Sequence, residues 1–137
     1  MLEGDFAFVL WDAEDRLVLW NARYLEIFPR LAPHVRIGLS YRELLTRAVL
    51  EEWPDTGAAE LEARVAARLA VRGQPERITL ELADGRLVST SERRTAEGGV
   101  VCLFQDVSQE RRVAAELEAS YALFRDGIEA MHDGFVL

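Results

Sequence analysis

Residues 6 to 28 leave this chain few choices. Two short apolar runs, Phe6 to Trp11 and Leu17 to Trp20, flank the polar tetrad Asp12-Ala13-Glu14-Asp15. Aromatic and β-branched residues on both sides favour strands, and the tetrad makes a tight turn, so the stretch reads as an antiparallel hairpin. Asn21 ends the second strand. Its short side chain can accept a hydrogen bond from a backbone N–H two or three residues on, which caps a helix from Ala22. That helix, Ala22 to Phe28, carries Tyr24, Leu25 and Phe28 on one stripe and stops before Pro29. Hairpin, capping Asn, short helix and break together open a compact α+β domain.

Helical periodicity follows. Leu31 to Gly38 is a loop or short helical turn, punctuated by Pro33 and Gly38. Ser40-Tyr41-Arg42-Glu43 is a capping box, a hydroxyl followed three residues later by a carboxylate. The helix it opens places Tyr41, Leu44, Leu45, Ala48, Val49 and Trp53 at helical spacing, and Pro54 closes it. A second helix spans Ala58 to Val71 on a thin stripe of Leu61, Val65 and Leu69, with Gly73 and Pro75 beyond. The period then changes to two. Ile78, Leu80 and Leu82 alternate with polar residues, Asp84-Gly85 makes a two-residue turn, and Leu87 to Thr95 returns. Gly98-Gly99 turns again into a last strand, Val100 to Gln105.

Residues 8 to 28 resemble the start of a bacterial PAS sensor domain, in which Asn or Asp follows the second strand and begins a short helix ending in an aromatic. Asp106-Val107-Ser108 is similar to the Asp-Ile/Val-Thr motif that leads such domains from the last strand into an exit helix, with Ser where Thr is commoner. The resemblance covers residues 6 to about 108. It implies a PAS-like α+β fold: a five-stranded antiparallel sheet, helices on one face, then a long C-terminal helix. The expected division is a PAS domain over 1–107, a signalling or coiled-coil helix over 108–131, and the truncated first strand of a second PAS domain over 132–137. The last expectation rests on Phe135-Val136-Leu137 repeating Phe8-Val9-Leu10 and on the frequent tandem occurrence of such modules.

The exit helix carries Val113, Leu117, Tyr121, Phe124, Ile128 and Met131 on one stripe. Spacings of four and three suit a coiled coil between two copies; folding back on the domain is the alternative. The leading residues Asp106, Val107 and Ser108 are the expected coupling point. Asp106 can cap the helix and complement its dipole, in a signalling role or as an ordinary cap.

Composition excludes several functions. The net charge is −8, from 16 basic and 24 acidic residues, and every basic residue is Arg. No face collects positive charge, so no nucleic-acid partner is expected. The longest apolar run, Phe6 to Trp11, is far too short to span a bilayer, and no signal-peptide pattern precedes it. The single cysteine, Cys102, permits no internal disulfide and fits a reducing cytoplasm. No nucleophile–base set stands out. Two histidines, His34 and His132, and one cysteine give no zinc spacing. Gly98-Gly99 precedes no helix and cradles no phosphate.

Cofactors known from PAS branches each need a residue in the right place. Flavin photosensors carry an Asn-Cys-Arg-Phe-like motif in the helical region, whereas the cysteine here lies in the last strand. Haem-binding members take an axial His from a helix, and residues 40 to 72 contain none. No cofactor is therefore expected. An unidentified small organic ligand remains compatible with the sequence: Trp20, Tyr24, Phe28, Leu45, Val49, Leu80, Thr90 and Cys102 could line a cavity between helices and sheet. They could equally fill a solid core, and Trp11 and Trp53 read as packing residues in either case.

The expected function is a cytoplasmic sensory and dimerisation module of a bacterial signalling protein, of histidine kinase or diguanylate cyclase type. It would act as a homodimer, passing a ligand- or partner-induced change through the C-terminal helix to an output domain. The alternative is a ligand-free structural dimerisation spacer between other domains. A small α+β enzyme would need a cleft of convergent polar groups, for which no motif appears.

Overall fold

The computed structural model describes residues 6–135, with side chains to residue 130. Strands β1 (Ala7–Trp11) and β2 (Leu17–Trp20) form the opening hairpin, followed by helix α1 (Ala22–Ile27) and a 3₁₀ turn at Pro29–Leu31. Helices α2 (Tyr41–Glu52) and α3 (Ala58–Ala70) come next, then strands β3 (Ile78–Glu81), β4 (Leu87–Arg94) and β5 (Val100–Asp106), and finally helix α4 (Ser108–Phe135). The five strands form one antiparallel sheet in the order β2-β1-β5-β4-β3. The α+β architecture is the one that the resemblance implied.

Asn21 does more than cap α1. Its Oδ1 accepts the Tyr24 N–H at 3.3 Å and the Phe8 N–H at 3.0 Å, while Nδ2 donates to the Phe6 carbonyl at 2.9 Å. One side chain thus fixes both the helix start and the first strand. Ser40 caps α2 as expected, its Oγ accepting the Glu43 N–H at 3.2 Å. Here the Glu43 carboxylate meets the Ser40 hydroxyl, at 3.3 Å.

Pairing register decides which residues face inward. Val9 lies opposite Cys102, Trp11 opposite Val100, Cys102 opposite Glu92, and Thr90 opposite both Ile78 and Phe104. Alternation therefore puts these residues on one face. In β2 strict alternation would separate Leu17 from Trp20. A bulge at Val18 brings Leu17 opposite Trp11 and Trp20 opposite Val9, so both join that face. Tyr24, Ile27, Tyr41, Leu44 and Val65 from the helices are buried, as are Val9, Trp11, Val88, Val100 and Cys102.

Two expectations need correction, the two-residue turn at Asp84-Gly85 and the strand expected from residue 132. The turn at Asp84-Gly85 is a three-residue loop, closed by the Leu82 N–H to the Arg86 carbonyl, because Gly85 takes the left-handed conformation, with φ +89°. The second glycine turn is built alike on Gly98, and the Gly99 that follows has no room for a side chain: a Cβ there would strike the Trp11 carbonyl oxygen. Lastly, residues 132–135 continue α4 where a strand was expected. A helix satisfies its backbone groups internally, whereas a lone strand needs a neighbour. Val136 and Leu137 lie outside the described residues. The first compact unit ends at Asp106 and Val107 opens the second, one residue before the expected boundary.

Candidate functional site

A cleft of about 690 Å³ lies between α2, α3 and the β3 region. That volume is within the range of small-molecule sites. α2 contributes Leu45, Ala48 and Val49, α3 contributes Arg64, Ala67 and Arg68, and the β3 hairpin contributes Leu80 and Leu82. Phe28 and Trp53 extend the apolar surface. Trp53 stands just past the end of α2, its N–H closing onto the Val49 carbonyl at 2.7 Å. The Arg64 guanidinium stacks 4.5 Å from the centre of the Trp53 ring.

Four of the eight expected cavity residues line this cleft: Phe28, Leu45, Val49 and Leu80. The other four do not. Tyr24, Thr90 and Cys102 are buried on the inner face, and Trp20 packs against the core from β2. Tyr24 belongs to an aromatic cluster, with Phe28 at 5.4 Å and Phe104 at 5.5 Å between ring centroids. Trp11 packs edge-on to Tyr41 at 5.0 Å, as a core residue should.

Beside the cleft is a buried ionic cluster that sequence reasoning missed. The Glu92 side chain is 5% exposed and that of Arg72 7%. Glu92 Oε1 accepts the Gly73 N–H at 2.7 Å, and Oε2 accepts from Arg72 Nη1 at 3.1 Å and from the Tyr41 hydroxyl at 3.2 Å. The other edge of the Arg72 guanidinium reaches Asp15, with Nη2 at 2.7 Å, and its plane covers the Tyr41 ring at 3.4 Å. Asp15 is positioned by the hairpin turn, where it holds a left-handed φ of +59°. The cluster therefore ties the β1–β2 turn, the segment after α3, and β4 together. One signal for it was legible: in β4 the inward positions are Val88, Thr90 and Glu92, so a carboxylate falls where alternation demands burial and needs a cation.

The electrostatics follow from that enclosure. Burial, then the neighbouring Glu92, raises the Tyr41 pKa, so its hydroxyl keeps the proton it donates. Burial alone would lower the Arg72 pKa; the Asp15 hydrogen bonds, with Tyr41, Cys102 and Glu92 alongside, outweigh it and hold the guanidinium charged. Burial and Glu92 push the Cys102 thiol up to about 12, which leaves it inert. His34 Nε2 meets Glu51 Oε1 at 3.0 Å. Among the described residues, no group of His, Cys, Asp and Glu could hold a metal ion.

α4 is a helix of 28 residues. Val113, Leu117, Tyr121, Phe124 and Ile128 are exposed along it, with Leu117 at 70%. Ser108 is its first residue, so Val107 occupies the cap position and Asp106 ends β5, opposite Val88 and 4.0 Å from Arg86. Among the described residues, no helix is long and apolar enough to cross a membrane.

Fold and cleft together define a PAS-type α+β domain, and comparison with known proteins makes the assignment. The PAS fold family profile matches residues 5–115, and the chain belongs to that family. The non-motile and phage-resistance protein of Caulobacter vibrioides is similar, 33% identical over 102 residues. That match covers 74% of this chain and 11% of the relative, so the chain spans about a ninth of its length. A crystallised domain of the sensory box sensor histidine kinase/response regulator from Geobacter sulfurreducens aligns with TM-score 0.42 and 19% identity, over 74% of this chain and 82% of that one.

Proposed function

We propose that this PAS domain is the sensory and dimerisation module of a longer cytoplasmic signalling protein, of histidine kinase or diguanylate cyclase type. The observation that carries this reading is the cleft between α2, α3 and β3, of about 690 Å³. A small organic molecule held there contacts two helices and an edge strand at once, so its binding biases their packing. The Asp15–Arg72–Glu92 cluster stiffens the same helices against the sheet and gives such a bias a route to β4 and β5.

The exposed stripe from Val113 to Ile128 supports a parallel homodimer, because an apolar seam of this kind marks an association surface. Asp106, Val107 and Ser108, between β5 and α4, are the coupling segment in this reading. The module itself performs no chemistry: Cys102 is protonated and buried, and His34 is engaged with Glu51. Haem and flavin are not the ligands expected in this reading: among the described residues that line the cleft there is no His for haem iron and no Cys for a flavin adduct.

Native mass spectrometry of the purified protein tests the sensor reading. A retained small molecule, lost when Val49→Trp fills the cleft, supports it. An empty protein whose melting temperature ignores a metabolite library favours a ligand-free spacer. Sedimentation tests the dimer: a monomer at about 50 µM, where a modest interface should hold, refutes it.

A further inference from the structure

Resting on the reading of the cleft as the input site, we propose that its ligand is an organic anion: a small molecule with a flat apolar body and one carboxylate, which Arg68 binds with Arg64 beside it. The two arginines are four residues apart on α3 and so share a face, and both line the cleft with the small Ala67 between them.

Arg68 is the unsatisfied group. Its side chain is 20% exposed, and the ion pair it makes among the described residues is to Glu92 Oε2 at 3.8 Å, too long for a hydrogen bond. Glu92 does not need it, because Arg72 already stands 3.1 Å from the same oxygen and the Gly73 N–H 2.7 Å from the other. A half-buried guanidinium with five donors is thus left facing the cleft, where a ligand carboxylate would gain two charge-assisted bonds. Arg64 is paired only at 3.5 Å, with Glu60, and stacks on Trp53, so it can swing to a second oxygen.

The carboxylates in the lining do not compete. Glu51 meets His34 at 3.0 Å, Glu52 accepts the Ala83 N–H at 2.9 Å, and Asp84 is held by Arg86 at 2.9 Å. Glu81 also lines the cleft, but it alternates with Leu80 along the edge strand β3, so its side chain leaves the strand on the side away from that of Leu80. Arg30, the remaining cation, donates to the Glu51 carbonyl. The indole of Trp53, sharing the lining with Leu45, Val49 and Leu80, makes the apolar part of the cleft suited to a planar body. Binding would draw Arg68 off Glu92 and leave that carboxylate to Arg72 and Tyr41, a change in the buried cluster caused by the ligand's charge.

Calorimetric titration with 1-naphthaleneacetate, its neutral amide and the cationic 2-(1-naphthyl)ethylamine tests this. The expected order is acetate first, with the amide weaker by about tenfold or more and the amine weakest. Arg68→Gln should erase the preference for acetate over amide, and the exposed Arg64→Gln should reduce it without affecting folding. Equal binding of acetate and amide, or preference for the amine, overturns the anion and leaves the cleft as a site for neutral ligands. Failure of all three to bind overturns it as well. A neutral molecule retained in native mass spectrometry would then keep the sensor reading alone.

Discussion

Replacing Arg72 by Met should destabilise the domain more than any other single change to its polar groups. Met keeps much of the stem volume and removes the charge. The Arg72 side chain is 7% exposed and bridges Asp15 at 2.7 Å and Glu92 at 3.1 Å. Without it Glu92 stays buried with the Tyr41 hydroxyl, the Gly73 N–H and the Cys102 thiol as donors, and with Arg68, 3.8 Å away, too distant for a hydrogen bond. Breaking a buried pair by removing one partner costs about 3–5 kcal/mol. Asp15, whose side chain is 40% exposed, is solvated instead and adds little. Glu92→Gln should cost less, about 1–3 kcal/mol, because Arg72 keeps Asp15. In the double variant no charge is left stranded at Glu92, so its loss should fall short of the sum of the two single losses by about 1–3 kcal/mol. Urea unfolding with linear extrapolation measures all three, provided the slopes agree. A loss below about 1 kcal/mol for Arg72→Met, or strict additivity, would refute the claim that this pair is buried and coupled.

Asn21→Ala removes a helix cap and two bonds to β1 together, and should lower unfolding free energy by about 1–3 kcal/mol, measured by the same titration. Cys102 should resist iodoacetamide at pH 8 in the native protein and react once urea unfolds it. With its pKa pushed up to about 12, ionisation at that pH is on the order of one part in ten thousand; rapid native alkylation, read by mass spectrometry, would contradict the burial. Asp106→Ala should leave the core folded yet change the output of the full-length protein more than its melting temperature. Equal output at equal expression would reduce Asp106 to an ordinary structural residue.

Much of this fold could be read in the sequence because local rules and tertiary demands agree. Asn21 and Ser40 are capping residues at sites where helices begin, and the change of period after Gly73 marks where helices give way to strands. The cleft was half legible. Phe28, Leu45, Val49 and Leu80 were found because helical and strand periods put them on inward faces. The same periods also selected Tyr24, Thr90 and Cys102, which fill the core, since spacing reports a face and not whether that face meets a partner or a void. Arg64 and Arg68 were missed because arginines on a charged helix read as a solvated surface; only the third dimension shows them against Trp53 and Glu92. Arg72 and Asp15 are 57 residues apart, and no local pattern connects them.

The strand order carries a consequence for how the chain reaches its native state. β1 and β5, the first and last strands of the domain, are central neighbours, with Ala7 opposite Phe104. Each outer pair, β1–β2 and β3–β4, can form locally, but joining them requires closing a loop of nearly the whole domain. Folding should therefore be slow relative to helical domains of this size, with the closure of β1 on β5 as its entropic barrier. During synthesis the β1–β2 hairpin must wait, with its inner edge unpaired, until Val100 to Asp106 has left the ribosome. That open edge is the stretch most exposed to pairing with the wrong chain.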